Sequence, residues 1–129
     1  MIGINHIAIN CYDIDKVSSF FAKYFSVKVE AHYHNPRTGL HSQMLALPDN
    51  GTRIELMNWP DLKRHEQNAH EQGFVHLSFS VGSKEKVDSL TALLVADGYQ
   101  CTSGPRTTGY GYYESSIFGI ENLIIEITV

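Results

Sequence analysis

Long apolar runs are missing from this chain, and so is any basic region leading into an apolar stretch at its N-terminus. Neither a membrane-spanning segment nor a secretory signal is expected, and the default is a cytoplasmic protein with no membrane partner. Cysteine is scarce. Cys11 and Cys101 are too few for a disulfide scaffold and lack the CxxC spacing of a redox pair or zinc knuckle, so both read as reduced, structural thiols. Charge of one sign does not accumulate: the net charge is −4, the pI is near 5.9, and Lys and Arg are scattered. That pattern offers no electrostatic footprint for nucleic acid. Low-complexity segments, a phosphate-cradling glycine loop and a nucleophile elbow are absent as well.

What is present describes an ordinary globular protein: 129 residues, 43% hydrophobic, 19% charged, 11% aromatic, with seven histidines. The length suits one domain over residues 1–129. Within it the two halves echo each other. His76 follows His6, and Lys86 follows Lys16, by 70 residues, while Glu126 follows Glu55 by 71. These landmarks sit in matching contexts, His6-Ile7-Ala8-Ile9 against His76-Leu77-Ser78-Phe79 and Ile54-Glu55-Leu56 against Ile125-Glu126-Ile127. Register kept across half the chain marks an internal duplication whose copies share one core.

Each half reads as strand, helix, then three strands. In the first, residues 2–10 alternate as a strand, and Asp13 caps a helix whose apolar stripe is Val17, Phe20, Phe21, Tyr24 and Phe25. Strands follow at about 27–33, 42–48 and 52–57, the last two joined by a turn at Pro48-Asp49-Asn50-Gly51. The second half predicts a strand at about 73–81, a helix from Ser83 with Val87, Leu90 and Leu94 inward and Gly98 past its end, then three strands. Module 1 thus covers about 1–60, a polar linker about 61–72, and module 2 about 73–129.

Strand alternation then sorts the polar groups. His6 shares a face with Ala8 and Asn10, Glu55 with Arg53 and Met57, His76 with Ser78 and Ser80, and Glu126 with Ile124 and Thr128. All four lie opposite the better apolar face, and small neighbours at Ala8, Ser78 and Thr128 leave space beside them. A lone strand histidine is more often a structural residue, and a lone strand glutamate a solvated charge. Here each module supplies one His from its first strand and one Glu from its last. Two imidazoles with two carboxylates neutralise a divalent ion and suit nickel, cobalt or zinc, with manganese or iron also accommodated.

Other groups carry weaker signals. His65-Glu66 and His70 resemble a zinc-protease helix superficially, but the histidines are five apart instead of four. His32, His34 and His41 flank a loop at Asn35-Pro36-Arg37-Thr38-Gly39 and either face the mouth of a cleft or stand as ordinary surface residues. The run Thr107 to Glu114, with Gly109, Gly111 and Tyr113, is either a substrate-facing lid or a mobile turn into an aromatic strand. Arg37 and Arg106 are candidates for a substrate anion, with a solvated arginine as the plainer reading of each.

These motifs, His6-Ile7-Ala8-Ile9, Arg53-Ile54-Glu55-Leu56, Val75-His76-Leu77-Ser78-Phe79 and the Gly109-to-Glu126 stretch, resemble the vicinal-oxygen-chelate superfamily of glyoxalases, bleomycin-resistance proteins and dioxygenases, over essentially the whole chain. The resemblance implies an α+β fold of paired strand-helix-three-strand modules forming a curved, mixed eight-stranded sheet around a metal cleft. It implies a divalent metal on His6, Glu55, His76 and Glu126, with Glu126 or Glu55 moving a proton; Tyr113, Arg106 and Arg37 stand beside them as the substrate-binding candidates drawn from the residues themselves. The activity implied is that of a glyoxalase-like lyase or isomerase on a small carbonyl or hydroxy compound. The alternative is a small-molecule-binding protein of the bleomycin-sequestering kind, and a homodimer is expected in either case. One departure is Gly119-Ile120-Glu121-Asn122-Leu123, where the family often has an Asp-Pro-Asp/Glu-Gly-Asn turn; Asn122 is able to take the left-handed conformation there.

Overall fold

Helix α1, Ile14–Phe25, begins where Asp13, in extended backbone, accepts a hydrogen bond from the Lys16 amide at 3.0 Å and satisfies one of the first-turn donors. It ends at Ser26, whose φ of 55° turns the chain into the next strand. The computed structural model describes residues 1–49, 51–66 and 68–129. Asn50, in the expected 48–51 turn, and Gln67, in the expected 61–72 linker, lie outside the described residues. The chain divides into two units, Met1–Arg64 and His65–Val129.

In the first unit, strands β1 (His6–Asn10), β2 (Lys28–His34), β3 (His41–Ala46) and β4 (Arg53–Asn58) form a mixed sheet in the order β1-β4-β3-β2, with β1 parallel to β4 and the rest antiparallel. Helix α1 packs on one face. Its stripe of Val17, Phe20, Phe21, Tyr24 and Phe25 is buried against Leu45, Ile54 and Leu56, all at most 2% exposed. Burying side chains of this size is worth about 1.5–3 kcal/mol each, so this face holds the unit together.

The second unit repeats the plan with β5 (Leu77–Ser80), α2 (Lys84–Ala96), β6 (Gln100–Thr107), β7 (Tyr113–Phe118) and β8 (Ile124–Thr128), ordered β5-β8-β7-β6 with β5 parallel to β8. Ser83 caps α2 through a bond from the Lys86 amide. The core is Val87, Leu94, Ile117, Ile125 and Ile127. Thr91 takes the buried place expected for Leu90, its hydroxyl bonded to the Val87 carbonyl (2.6 Å) and to the buried Ser115 hydroxyl (2.7 Å).

The α+β class and the duplicated strand-helix-three-strand plan are those expected. Two strand starts differ from expectation. β1 starts at His6 instead of residue 2 because its parallel partner β4 starts at Arg53, opposite His6. β5 starts at Leu77, opposite Ile125, leaving His76 one residue outside the ladder. Between β7 and β8, Glu121 and Asn122 both take left-handed backbone (φ 50° and 61°), so Asn122 does the work of the family's glycine with Glu121 beside it. Among the described residues no helix is long and apolar enough to cross a membrane. Neither cysteine forms a disulfide, and Cys11 is buried.

Candidate metal centre

Glu55 faces Ala8 across the β1–β4 ladder, two positions past His6, and Glu126 faces Ser78 across the β5–β8 ladder, two positions past His76. The two units therefore carry the same diagonal His–Glu pair. In the first, His6 Nε2 lies 3.9 Å from Glu55 Oε1; in the second, His76 Nε2 lies 3.2 Å from Glu126 Oε2. The carboxylates are the less exposed partners, 22% and 17%, while the imidazoles are at 40% and 37%.

Supporting bonds orient the first pair. Asn5 Oδ1 lies 2.7 Å from His6 Nδ1 and, being an acceptor, takes the Nδ1 proton in a hydrogen bond, which orients the ring with Nε2 toward Glu55. Ser42 donates to Glu55 Oε2 at 2.8 Å. Bound to one ion at about 2.0–2.2 Å and near-right angles, an imidazole nitrogen and a carboxylate oxygen stand about 3 Å apart. The 3.2 Å of His76–Glu126 matches that spacing, whereas the 3.9 Å of His6–Glu55 is wider and would have to close for both donors to share an ion at that angle. Among the described residues no three His, Cys, Asp or Glu side chains gather as a metal site. Each unit presents one His–Glu pair.

The second half contains a residue that the sequence reading passed over. Glu114 faces Thr128 on the strand beside Glu126, and Arg106 lies opposite Glu114 on β6. Partial burial and then the Glu126 charge push the Glu114 carboxyl above the ordinary glutamate range, while His76 and Arg106 oppose the shift. The signal available in sequence was its even spacing from Ser116 and Phe118 on the Glu126 face, masked by the neighbouring tyrosines.

Of the substrate-binding candidates, Arg106 lies on the His76–Glu126 face, with its Nε donating to Ser103 Oγ at 3.2 Å. Tyr113 does not. It lies on the helix face with Ser115 and Ile117, its hydroxyl donating to Asp88 Oδ1 on α2 at 2.6 Å and Lys84 lying over its ring. That bond holds the phenol above its ordinary pKa. Arg37 sits in the exposed β2–β3 turn, where the Asn35 side chain accepts from the Arg37 and Thr38 amides, beyond His41 and away from the Met44–Glu55 row. Asn58 lies on the face opposite Glu55, as its spacing predicts, and donates to the Cys11 carbonyl at 3.0 Å.

Residues 3–126 match the family model of the Glyoxalase/Bleomycin resistance protein/Dioxygenase superfamily, and the chain belongs to that family. A curated relative, the uncharacterized protein YwkD of Bacillus subtilis, is 33% identical over 85 residues, which span 65% of each chain. The fold is that of a glyoxylase/bleomycin resistance protein/dioxygenase domain from Frankia sp. EAN1pec (TM-score 0.82, 20% identity, 100% of this chain and 98% of that one). It is also that of the trypanothione-dependent glyoxalase I of Leishmania major (0.78, 16%, 99% and 86%). A third similar structure is the fosfomycin resistance protein FosX of Listeria monocytogenes, complexed with Mn(II) and 1S,2S-dihydroxypropylphosphonic acid (0.73, 20%, 99% and 93%).

Proposed function

We propose that this protein is a metal-dependent lyase or isomerase acting on a small carbonyl or hydroxy compound, with His6, Glu55, His76 and Glu126 as the ligands of one divalent ion. The observation that carries the reading is the identical diagonal His–Glu pair in both units. Two halves with two donors each make one complete site, supplied within a chain or across a homodimer. The Mn(II) complex of a protein with this fold supports a divalent ion of the nickel, cobalt, zinc or manganese class. When bound, the ion stabilises negative charge developing on a substrate with two neighbouring oxygens.

The chain's own residues divide the remaining work. Ser42 ties Glu55 in place as a ligand. Glu126 is assigned the proton taken from and returned to carbon beside the carbonyl, a role open to a ligand carboxylate at the edge of the site. Arg106 serves an anionic substituent of the substrate, and Tyr113, bonded to α2, has no part in binding it.

The test is a screen of nickel-, cobalt-, zinc- and manganese-loaded protein against small α-hydroxycarbonyl and dicarbonyl compounds, with Glu126→Gln as control. Turnover lost by at least a hundredfold in the variant, assayed at a metal concentration that saturates it, is expected. Substrate-class compounds held without turnover, equally by both proteins, would overturn the enzyme reading in favour of sequestration.

A further inference from the structure

Strand β2 does not keep its alternation. Val29 faces Leu45 and His32 faces Gln43, so three steps along β2 match two along β3, and a bulge lies between. The buried Gln43 fills it, its amide donating to the Glu30 and Met44 carbonyls. Before the bulge, Glu30 is on the Glu55 face, paired with Arg53 at 3.2 Å. After it, His32 and His34 stand on the opposite face, beside His41 on β3. Regular alternation would have put His32 with Glu30; the extra residue moves both histidines to the helix side of the sheet, away from the proposed centre.

There the three rings form a cluster. His32 Nε2 lies 2.9 Å from His41 Nδ1, and the His34 ring is stacked on His41 at 4.1 Å with the planes 7° apart. Two nitrogens bound to one ion at about 2.0–2.1 Å and at a right angle stand about 2.9 Å apart, whereas tetrahedral angles would require about 3.4 Å. Right angles belong to six-coordinate and tetragonal ions, and imidazole donors with water suit nickel and copper(II). The His34 stack fixes the plane of His41 and with it the direction of Nδ1. Loss of solvation, then His34 and His32, hold the His41 imidazole below its ordinary pKa, which favours the neutral ring.

We propose that His32 and His41 form a second divalent-metal site, built by the β2 bulge on the back of the first unit, which takes a nickel- or copper-class ion in cis coordination with solvent completing its shell. It is independent of His6, Glu55, His76 and Glu126 and does not rest on their assignment.

The test titrates Ni(II) and Cu(II) into the full chain and into His32→Gln and His41→Gln variants, read by calorimetry, with histidine-ring NMR of the unaltered protein at up to two equivalents of Cu(II), enough to reach this site with the proposed four-ligand centre filled. One binding event should weaken at least tenfold in either variant, with copper bound more tightly than nickel. The His32 and His41 rings should broaden while those of His65 and His70, exposed elsewhere, stay sharp. Isotherms identical to the parent, or broadening spread evenly over all exposed histidines, would overturn the site and leave the contact as an imidazole hydrogen bond. The NMR arm needs no variant, so a misfolded substitution cannot obscure the result.

Discussion

His76 Nε2 lies 3.2 Å from Glu126 Oε2, although His76 stands one residue outside strand β5 and Glu126 is in the middle of β8. The diagonal brings them together: Glu126 pairs with Ser78, and the residue two before Ser78 reaches across the parallel ladder. The same offset relates His6 to Glu55 through Ala8. If both pairs serve one ion, they must matter equally. His6→Ala and His76→Ala should each reduce bound metal in the purified protein at least tenfold, measured by inductively coupled plasma mass spectrometry, with far-UV circular dichroism unchanged. Saturating metal should raise the Tm of the parent, since a ligand bound at a hundred times its Kd adds about 2.7 kcal/mol. Full occupancy in either variant would remove the four-ligand assignment.

Glu114 provides a pH signature in the metal-free protein. Its folded pKa is raised, so the folded state binds this proton more readily than the unfolded state does. Its contribution to stability is fullest below the ordinary glutamate range and is lost as pH rises through the folded value. Glu114→Gln should therefore be the more stable protein at neutral pH, with the difference vanishing in acid. Urea unfolding at the two pH values, with chelator present, measures it, and a pH-independent difference would contradict the sign.

Efficient glutathione-dependent glyoxalase activity is not expected. The family resemblance implies that glutathione is gripped by an Arg four residues after the first ligand and an Asn four residues after the second; those positions hold Asn10 and Trp59 here, and nearby Asn58 is turned to the other face and bonded to the Cys11 carbonyl. Loss of an Arg–carboxylate contact removes about 1.5–3 kcal/mol, or roughly one to two decades of affinity. An assay of the metal-loaded protein with the hemithioacetal of methylglyoxal and glutathione decides the point. Robust turnover abolished by Glu126→Gln would refute it.

Tyr113→Phe should leave metal affinity and turnover within twofold of the parent, because the hydroxyl serves Asp88 on the helix face. The complementary change, Asp88→Asn, should bring one tyrosine ionisation down toward its ordinary range in an ultraviolet pH titration. A KM raised severalfold by Tyr113→Phe would return the residue to the substrate side.

Gly104→Ala should destabilise the second unit by about 1–3 kcal/mol. Gly104 has a φ of 79°, and a Cβ there would run into the Glu114 carbonyl oxygen and the backbone of Ser115. Denaturant unfolding measures the loss; unchanged stability would mean that β6 shifts freely past β7.

The duplication was legible in the sequence because it rests on local facts: period-two alternation, the Asp13 and Ser83 caps, and the recurrence of His and Glu at a near-constant offset. Those facts determined the α+β class, both helices and the face on which each ligand candidate lies. Tertiary structure decided what depends on a partner strand. The parallel ladders cut β1 and β5 short and put each histidine diagonal to its glutamate. The bulge filled by Gln43 carried His32 and His34 to the helix face, and the β7 register gave Tyr113 to Asp88 and Glu114 to the Glu126 face. Alternation can be counted along one strand, but a bulge or a strand end is set by hydrogen bonds to a neighbour far away in sequence, and those appear only when the sheet forms.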